Sequence, residues 1–77
     1  IDIIARRGGV VAFVEVKARA TQDIAAFALT ESQLRRIARA AEAFAARHPA
    51  LLDCVWRFDA MLVTPRGWPR HMTDVWR

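Results

Sequence analysis

The chain has 77 residues, enough for one small domain, and 55% of them are hydrophobic. Its 12 basic and 8 acidic residues give a net charge of +4, which suits a polyanionic partner such as nucleic acid. A single cysteine supports no disulfide framework, and no apolar run approaches the ~20 residues that span a bilayer, so we expect a cytoplasmic protein that is not embedded in a membrane.

Residues 1–18 predict a β-hairpin. β-Branched residues alternate through residues 1–6 and again through residues 10–18, and Gly8-Gly9 lies between the two runs. Gly-Gly between two such runs is a strong hairpin signal. Because Ile1 already has the character of a strand interior, we expect a further segment to precede it.

Residues 31–47 predict an amphipathic helix. The sequence TESQ at residues 30–33 matches the capping box that opens a helix. Apolar residues follow at helical spacing, namely Leu34, Ile37, Ala38, Ala41, Phe44 and Ala45. Pro49 ends the pattern, because proline disfavours a helical residue before it. Residues 19–29 show no clear period and predict a loop.

Two further strands are predicted after the helix. Residues 55–64, VWRFDAMLVT, have the composition of a strand, and residues 71–76 predict a short last strand at an edge. The order strand, strand, helix, strand, strand predicts a single α/β domain over residues 1–77. The strands on either side of the helix should pair in parallel through a right-handed crossover.

The hairpin also predicts which side chains meet. A two-residue Gly-Gly loop places Ile3 opposite Val14 and Asp2 opposite Glu15. Lys17 follows on the same face as Glu15, because side chains alternate along a strand with a period of two. The face of Val14 is apolar throughout, and we expect it to pack inward.

The three charged side chains predict a metal site. Carboxylates directly opposite each other, with Cβ atoms about 5 Å apart, repel one another. A divalent cation removes the conflict, because Mg²⁺ prefers hard oxygen ligands. The alternative is a solvent-exposed pair of Glu15 and Lys17 on a half-buried strand, with Asp2 near a frayed end.

The same residues resemble a known group of proteins. Asp2 followed by Glu15-Val16-Lys17 resembles the PD-(D/E)XK nuclease signature. Nearly the whole chain resembles the YraN-like family, through the segments IDIIAR, FVEVKAR, LTESQLRRIARAAEAF, RFDAMLV and RHMTDVWR. That family has a predicted restriction-endonuclease-like fold, similar in shape to archaeal Holliday-junction resolvases. The resemblance implies a mixed sheet and a metal-dependent endonuclease that hydrolyses DNA, with branched DNA as a candidate substrate.

The resemblance also implies a role for each residue of the signature. Asp2 and Glu15 would hold Mg²⁺ or Mn²⁺, with the backbone carbonyl of Val16 as a further ligand. Lys17 would orient or activate the attacking water and offset charge in the transition state. Family members usually carry a glutamate directly before the position of Ile1 and an acidic residue in an N-terminal helix, and this sequence starts after both.

Several other polar side chains have two interpretations. Gln33 matches a position where related nucleases place a glutamine near the active site, and it also completes the capping box of Thr30. Asp59 either lies beside the site or pairs with Arg57 or with a helix arginine. Four arginines would either contact phosphates or remain solvated surface charge: Arg19, Arg35, Arg36 and Arg39.

The remaining candidates are expected to be structural. His71 is interpreted as an ordinary edge-strand residue and Cys54 as a buried small hydrophobe. Trp56, Trp68 and Trp76 are expected to anchor the core, with stacking on nucleic-acid bases as the alternative.

Three hypotheses about function result. The first is a Mg²⁺- or Mn²⁺-dependent endonuclease acting on DNA. The second is a nucleic-acid-binding module of the same fold that does not cut. The third is a structural or interaction protein that covers exposed apolar sheet by forming a homodimer.

Overall fold

The computed structural model describes residues 1–20 and 30–75, so the predicted loop of residues 19–29 lies mostly outside the described part. The described elements are β1 (Ile3–Arg7), β2 (Val10–Ala18), α1 (Glu31–Arg47), β3 (Val55–Val63) and β4 (Arg70–Met72). A short 3₁₀ helix, Pro49–Leu51, connects α1 to β3. The predicted α/β fold with a mixed sheet is confirmed.

β1 and β2 form the predicted hairpin. They pair antiparallel with Ile3 opposite Val14, which is the register that a Gly8-Gly9 loop requires. Gly8 has φ = 57°, a left-handed conformation that residues with a Cβ adopt reluctantly. Positive φ at the first loop residue and not at the second is the pattern of a type II′ turn, whose twist matches the flanking strands.

The four strands lie in the order β1-β2-β3-β4. β2 and β3 pair in parallel, with Phe13 opposite Phe58 and Lys17 opposite Leu62, and this confirms the predicted parallel pair. β4 pairs antiparallel with β3 at the edge of the sheet. The carboxyl ends of β2 and β3 therefore lie at the same end of the sheet.

The last strand is shorter than predicted. It covers Arg70–Met72 and does not continue through residues 73–75, and residue 76 of the predicted range, Trp76, lies outside the described residues. The chain leaves the extended conformation at Asp74, which has φ = 55°. The amide of Asp74 donates to Oδ1 of Asp59 at 2.9 Å, and the next amide, that of Val75, donates to the carbonyl of Phe58 in β3 at 2.9 Å.

The helix α1 begins and ends where the sequence predicts. Oγ1 of Thr30 accepts from the amide of Gln33 at 3.1 Å, and Oε1 of Gln33 accepts from the amide of Thr30 at 2.9 Å. This pair of bonds is the predicted capping box. No helix in the described part of the chain is long and apolar enough to cross a bilayer.

The helix covers the face of the sheet that carries Glu15 and Lys17. Phe13 shares that face and packs edge-on against Phe44 of α1, with ring centroids 5.8 Å apart. Val14 is buried, as expected, but the helix and the main aromatic core lie on the opposite face, the side of the charged residues.

The aromatic residues of β3 explain why the helix packs on this face. The ring of Phe13 contacts those of Trp56 and Phe58, with centroids 5.2 and 5.4 Å away, so both strands place their aromatic residues on one side. Burying these rings under a helix removes the largest apolar area from water. Cys54 is half-buried and packs on the same cluster, as expected. Trp68 is 90% exposed, so its predicted role in the core is wrong.

Candidate active site

Glu15 and Lys17 project from β2 into the layer between the sheet and α1. Their parallel neighbours in β3 are Ala60 and Leu62, both of which are fully buried. Glu15 is 7% exposed and Lys17 is 9% exposed, so the interpretation of a solvent-exposed pair is wrong. Taking two charged groups out of water costs free energy, and apolar side chains of similar volume at these positions would avoid that cost. The two residues are therefore candidates for a functional role.

Asp2 lies close to Glu15, as predicted, but its contacts with β2 differ from the predicted ones. The last pair of the regular ladder is Ile3 with Val14, and the amide of Asp2 donates to the carbonyl of Val14 at 3.1 Å. The predicted pairing of Asp2 with Glu15 is therefore not part of the ladder. Instead, Oδ2 of Asp2 accepts from the amide of Val16 at 2.8 Å, so the carboxylate lies beside the Glu15–Val16 peptide.

The carboxylate of Glu15 has weak partners. Its Oε1 lies 3.6 Å from Nη2 of Arg36, whose side chain is 64% exposed. Its Oε2 lies 3.4 Å from the nitrogen of Ile1 and has no hydrogen-bond partner among the described residues. A solvated cation contributes little, and an unsatisfied buried acceptor costs about 1–3 kcal/mol. A bound cation would satisfy this oxygen.

The oxygen atoms at this position suit a hard divalent cation. The N–H and C=O of one strand residue point to the same side, so the carbonyl of Val16 faces the side on which Asp2 meets its amide. Two carboxylates and a carbonyl are ligands that Mg²⁺ and Mn²⁺ favour, and Mg²⁺ commonly keeps several waters. Within the described ranges, no group of three His, Cys, Asp or Glu side chains forms a metal cage.

Lys17 supplies the positive charge of the site. Within residues 1–20 and 30–75, its ammonium forms no ion pair with a carboxylate. Strand residues two apart have Cα atoms about 6.7 Å apart and side chains on one face. Lys17 therefore lies on the same face of β2 as Glu15, one pleat repeat further along the strand.

The weaker candidates take several positions. Gln33 uses its side-chain oxygen in the helix cap, and its amide nitrogen is left for other contacts. Arg36 approaches Glu15, which gives it a place beside the site that the sequence did not predict. Nη1 of Arg19 donates to the carbonyl of Ala18 at 2.8 Å at the end of β2. The exposed helix arginines Arg35 and Arg39 are not brought to the carboxylates.

Asp59 is the centre of a second polar cluster on the opposite face of the sheet. It is fully buried and accepts a bidentate pair of hydrogen bonds from Arg57, both at 2.9 Å, which confirms the predicted structural pairing. Nε2 of His71 lies 2.8 Å from Oδ2, and the amide of Asp74 donates to Oδ1 at 2.9 Å. Sequence patterns missed the contact with His71, because it depends on the register between β3 and β4, which no local signal in the loop specifies.

The pKa of Asp59 reflects a competition. Burial by itself would raise the pKa, but the hydrogen bonds from Arg57, from the amide of Asp74 and from His71 favour the charged form and lower it below its ordinary value. The hydrogen bond to Asp59 in turn raises the pKa of Arg57. The cluster is therefore a satisfied ion pair, in contrast to Glu15.

Comparison with known sequences places the chain in a family. The pattern of the uncharacterised protein family UPF0102 matches residues 1–63. A UPF0102 protein of Paramagnetospirillum magneticum is 57% identical over 77 residues, covering 100% of this chain and 60% of the relative. A UPF0102 protein of Parvibaculum lavamentivorans is 51% identical over 77 residues, covering 100% of this chain and 58% of the relative.

A third relative, from a Bradyrhizobium species, is 56% identical over 72 residues, which cover 94% of this chain and 51% of the relative. The chain belongs to UPF0102, the YraN-like family. It spans between about half and three-fifths of the length of the relatives that it matches.

Proposed function

We propose that this chain carries the catalytic core of a metal-dependent endonuclease of restriction-endonuclease-like fold that hydrolyses phosphodiester bonds in DNA. One observation carries the proposal: the buried carboxylate of Glu15, with an oxygen that no hydrogen bond satisfies, lies two residues from the buried Lys17 on the same face. The carboxylate of Asp2 lies on the neighbouring strand end, beside the peptide that follows Glu15. A mixed sheet with a helix between its parallel strands is compatible with that fold.

Asp2, Glu15 and the carbonyl of Val16 would hold Mg²⁺ or Mn²⁺. When bound, such an ion supplies Lewis-acid polarisation of the phosphodiester and a more acidic water. The hydrogen bond from the Val16 amide orients the Asp2 carboxylate, and Arg36 borders Glu15 on the helix side.

Lys17 would act on the scissile phosphate and the attacking water. Its ammonium offsets the charge that builds on the phosphate oxygens in the transition state. The apolar neighbours Ala60 and Leu62 exclude water and so strengthen that interaction. An arginine would offer a larger, permanently charged group, which suits this role less well.

The basic surface would hold the DNA. Arg35, Arg36 and Arg39 are exposed on the N-terminal half of α1, the half that lies over Glu15, and Arg19 follows Lys17 along the chain. Phosphate contacts from arginine give affinity that depends on salt and not on base sequence. The chain spans only part of the length of its relatives. We therefore extend the proposal to the whole protein, which would act on branched DNA in the cytoplasm.

The proposal is tested by cleavage with the natural full-length protein. Linear, flapped and four-way-junction DNA are incubated with Mg²⁺ or Mn²⁺ and either wild type, Lys17→Ala or Arg47→Ala. Arg47→Ala is the matched control, because it removes a positive charge from the exposed last turn of α1. We expect cleavage by wild type and by the control, and a loss of at least 100-fold in Lys17→Ala. Equal cleavage by Lys17→Ala, or no cleavage by wild type, rejects the assignment.

A second candidate function is nucleic-acid binding without cleavage. The exposed arginines of α1 favour it, because they need no metal site. In that case salt-sensitive DNA binding would be the same in wild type, Asp2→Ala and Glu15→Ala, and no DNA substrate would be cut.

A further inference from the structure

The loop between β3 and β4 carries a bare aromatic side chain. Residues 64–69 read TPRGWP, and Trp68, directly after the turn at residues 65–67, is 90% exposed, more than any other large hydrophobic side chain of the described residues. Pro65 and Pro69 lie on either side of it in the chain and fix one backbone dihedral each. An exposed tryptophan held in a short, stiffened loop is available as a contact surface for a ligand.

The loop lies at the end of the sheet where Lys17 lies. Lys17 is opposite Leu62, and Leu62 is opposite Arg70, so Lys17 and Arg70 share one face two strands apart. Neighbouring strands are about 4.8 Å apart, which separates the two backbones by roughly 10 Å. The amide of Arg19 also bonds to the carbonyl of Val63 at 2.9 Å, directly before the loop begins. Trp68 therefore lies within a few nucleotide lengths of the candidate active site.

Positive charge surrounds the tryptophan. Arg66 and Arg70 flank it in the chain, Arg19 lies at the neighbouring strand end, and all three are exposed. Closely spaced arginines repel one another, and a polyphosphate backbone would relieve that repulsion. Exposed arginines beside an exposed aromatic ring are the combination with which proteins bind single-stranded nucleic acid.

We propose that Trp68 stacks on an unpaired base of a DNA strand whose phosphates contact Arg19, Arg66 and Arg70. The faces of bases in a duplex are already covered by their neighbours, so only an unpaired base can stack on the ring. The inference rests on the proposed nuclease function and deepens it: the substrate has unpaired nucleotides close to the phosphate that is cut. This assigns DNA with single-stranded segments, and not continuous duplex, as the substrate class.

The test measures binding without cleavage. The natural full-length protein, with EDTA in place of divalent ions, is titrated into a fluorescent 15-nucleotide oligo-dT and into a 15-base-pair duplex. Trp68→Ala should weaken oligo-dT binding about tenfold, as expected for the loss of one stacked base, and leave duplex binding within about twofold. Trp68→Phe, which keeps an aromatic face, should retain most of the affinity. Leu52→Ala is the matched control, because Leu52 is 60% exposed and lies at the opposite end of β3.

Three results would overturn the inference: equal oligo-dT affinity in wild type and Trp68→Ala, equal weakening for both DNA forms, or equal loss in Trp68→Phe and Trp68→Ala. The alternative is that the ring of Trp68 contacts a second copy of the chain. Sedimentation of wild type and Trp68→Ala tests it, because a smaller oligomer in Trp68→Ala would assign the ring to that contact. The proposed nuclease function fails separately. Trp68-dependent binding without cleavage rejects only the enzyme, and cleavage without an effect of Trp68→Ala rejects only the stacking.

Discussion

Glu15 and Asp59 are both buried carboxylates, and their surroundings differ in kind. Asp59 is 0% exposed and accepts hydrogen bonds from Arg57, His71 and the amide of Asp74. Glu15 is nearly as buried, yet one of its oxygens has no hydrogen-bond partner in the described part of the chain. A carboxylate that serves the fold is satisfied by the fold. One that serves a ligand is left incomplete, at a cost in stability.

Asp59→Asn should destabilise the protein by on the order of 2–3 kcal/mol, because the amide cannot accept the bidentate pair from Arg57 and leaves buried polar groups unpaired. Urea unfolding at pH 7 measures the change. Asp53→Asn is the control, since Asp53 is exposed and should change the free energy of unfolding by less than about 0.5 kcal/mol.

The effect of Asp59→Asn should also depend on pH. The folded state lowers the pKa of Asp59 below its ordinary value of 3.8, so the carboxylate stabilises the fold at pH values above 3.8. This contribution is lost as the pH falls through the lowered pKa. The difference between wild type and variant should therefore shrink as the pH falls below 3.8. A difference that grew as the pH fell below 3.8 would contradict this account of the cluster.

Glu15→Met should have the opposite effect on stability. Methionine has a similar volume and removes a buried carboxylate whose charge contacts are long, at 3.4 and 3.6 Å, and one of whose oxygens has no hydrogen bond among the described residues. We therefore expect the free energy of unfolding in metal-free buffer to rise by about 1 kcal/mol. Urea unfolding next to Asp59→Asn provides the comparison. A fall as large as that of Asp59→Asn would show that Glu15 is a structural ion-pair partner of Arg36 and not a ligand.

At the scale of elements, the role of Gln33 in capping α1 has to be distinguished from a role in catalysis. Gln33 closes the capping box of Thr30, and a capping box accepts glutamate at this position as well as glutamine. Gln33→Glu should therefore keep stability, whereas Gln33→Ala should lose about 0.5–1 kcal/mol by thermal or urea unfolding.

The same two variants test the catalytic assignment of Gln33. If the residue only caps the helix, Gln33→Glu keeps the wild-type DNA cleavage rate. If its amide nitrogen contacts substrate or water, Gln33→Glu loses activity while its stability is unchanged. Ser32→Ala, one position earlier and exposed, is the control for both measurements.

Local signals were sufficient for the elements and not for their assembly. Gly8-Gly9 fixed the register of β1 and β2, and the sequence TESQ fixed the first turn of α1, because both signals act within a few residues. The covered face depended on three strands together. Considering the hairpin alone favoured the side of Val14, whereas the alternation of Trp56 and Phe58 in β3, combined with parallel pairing, favours the side of Phe13.

The face shared by Glu15 and Lys17 was predictable from the sequence, whereas the position of Asp2 beside them was not. Period-two alternation was enough to put Glu15 and Lys17 on one face. The residue at which the β1–β2 ladder ends could not be predicted from the sequence, because Oδ2 of Asp2, and not a backbone carbonyl, accepts from the amide of Val16. Likewise, the approach of Arg36 to Glu15 depends on how α1 lies across the sheet, which only tertiary packing decides.

At the scale of the whole molecule, the residues proposed to act in function lie at one end of the sheet. β2 and β3 run in parallel, so Lys17, Arg19 and the loop with Trp68 all lie at their carboxyl ends. The N-terminal half of α1 lies over the same end, as the contact between Arg36 and Glu15 shows. In open α/β sheets, ligands bind beyond the carboxyl ends of the strands. The arrangement here places the proposed metal ligands, the exposed arginines and the ring of Trp68 in that position.

The central claim is that Asp2 and Glu15 hold a divalent ion beside Lys17. The most direct measurement is titration of Mn²⁺ into the natural full-length protein, followed by isothermal calorimetry, for wild type, Glu15→Gln and Lys17→Ala. We predict saturable binding by wild type, at least tenfold weaker binding by Glu15→Gln, and equal or tighter binding by Lys17→Ala, because that variant removes a neighbouring positive charge. Equal Mn²⁺ affinity in wild type and Glu15→Gln, or no saturable binding by wild type, would contradict it.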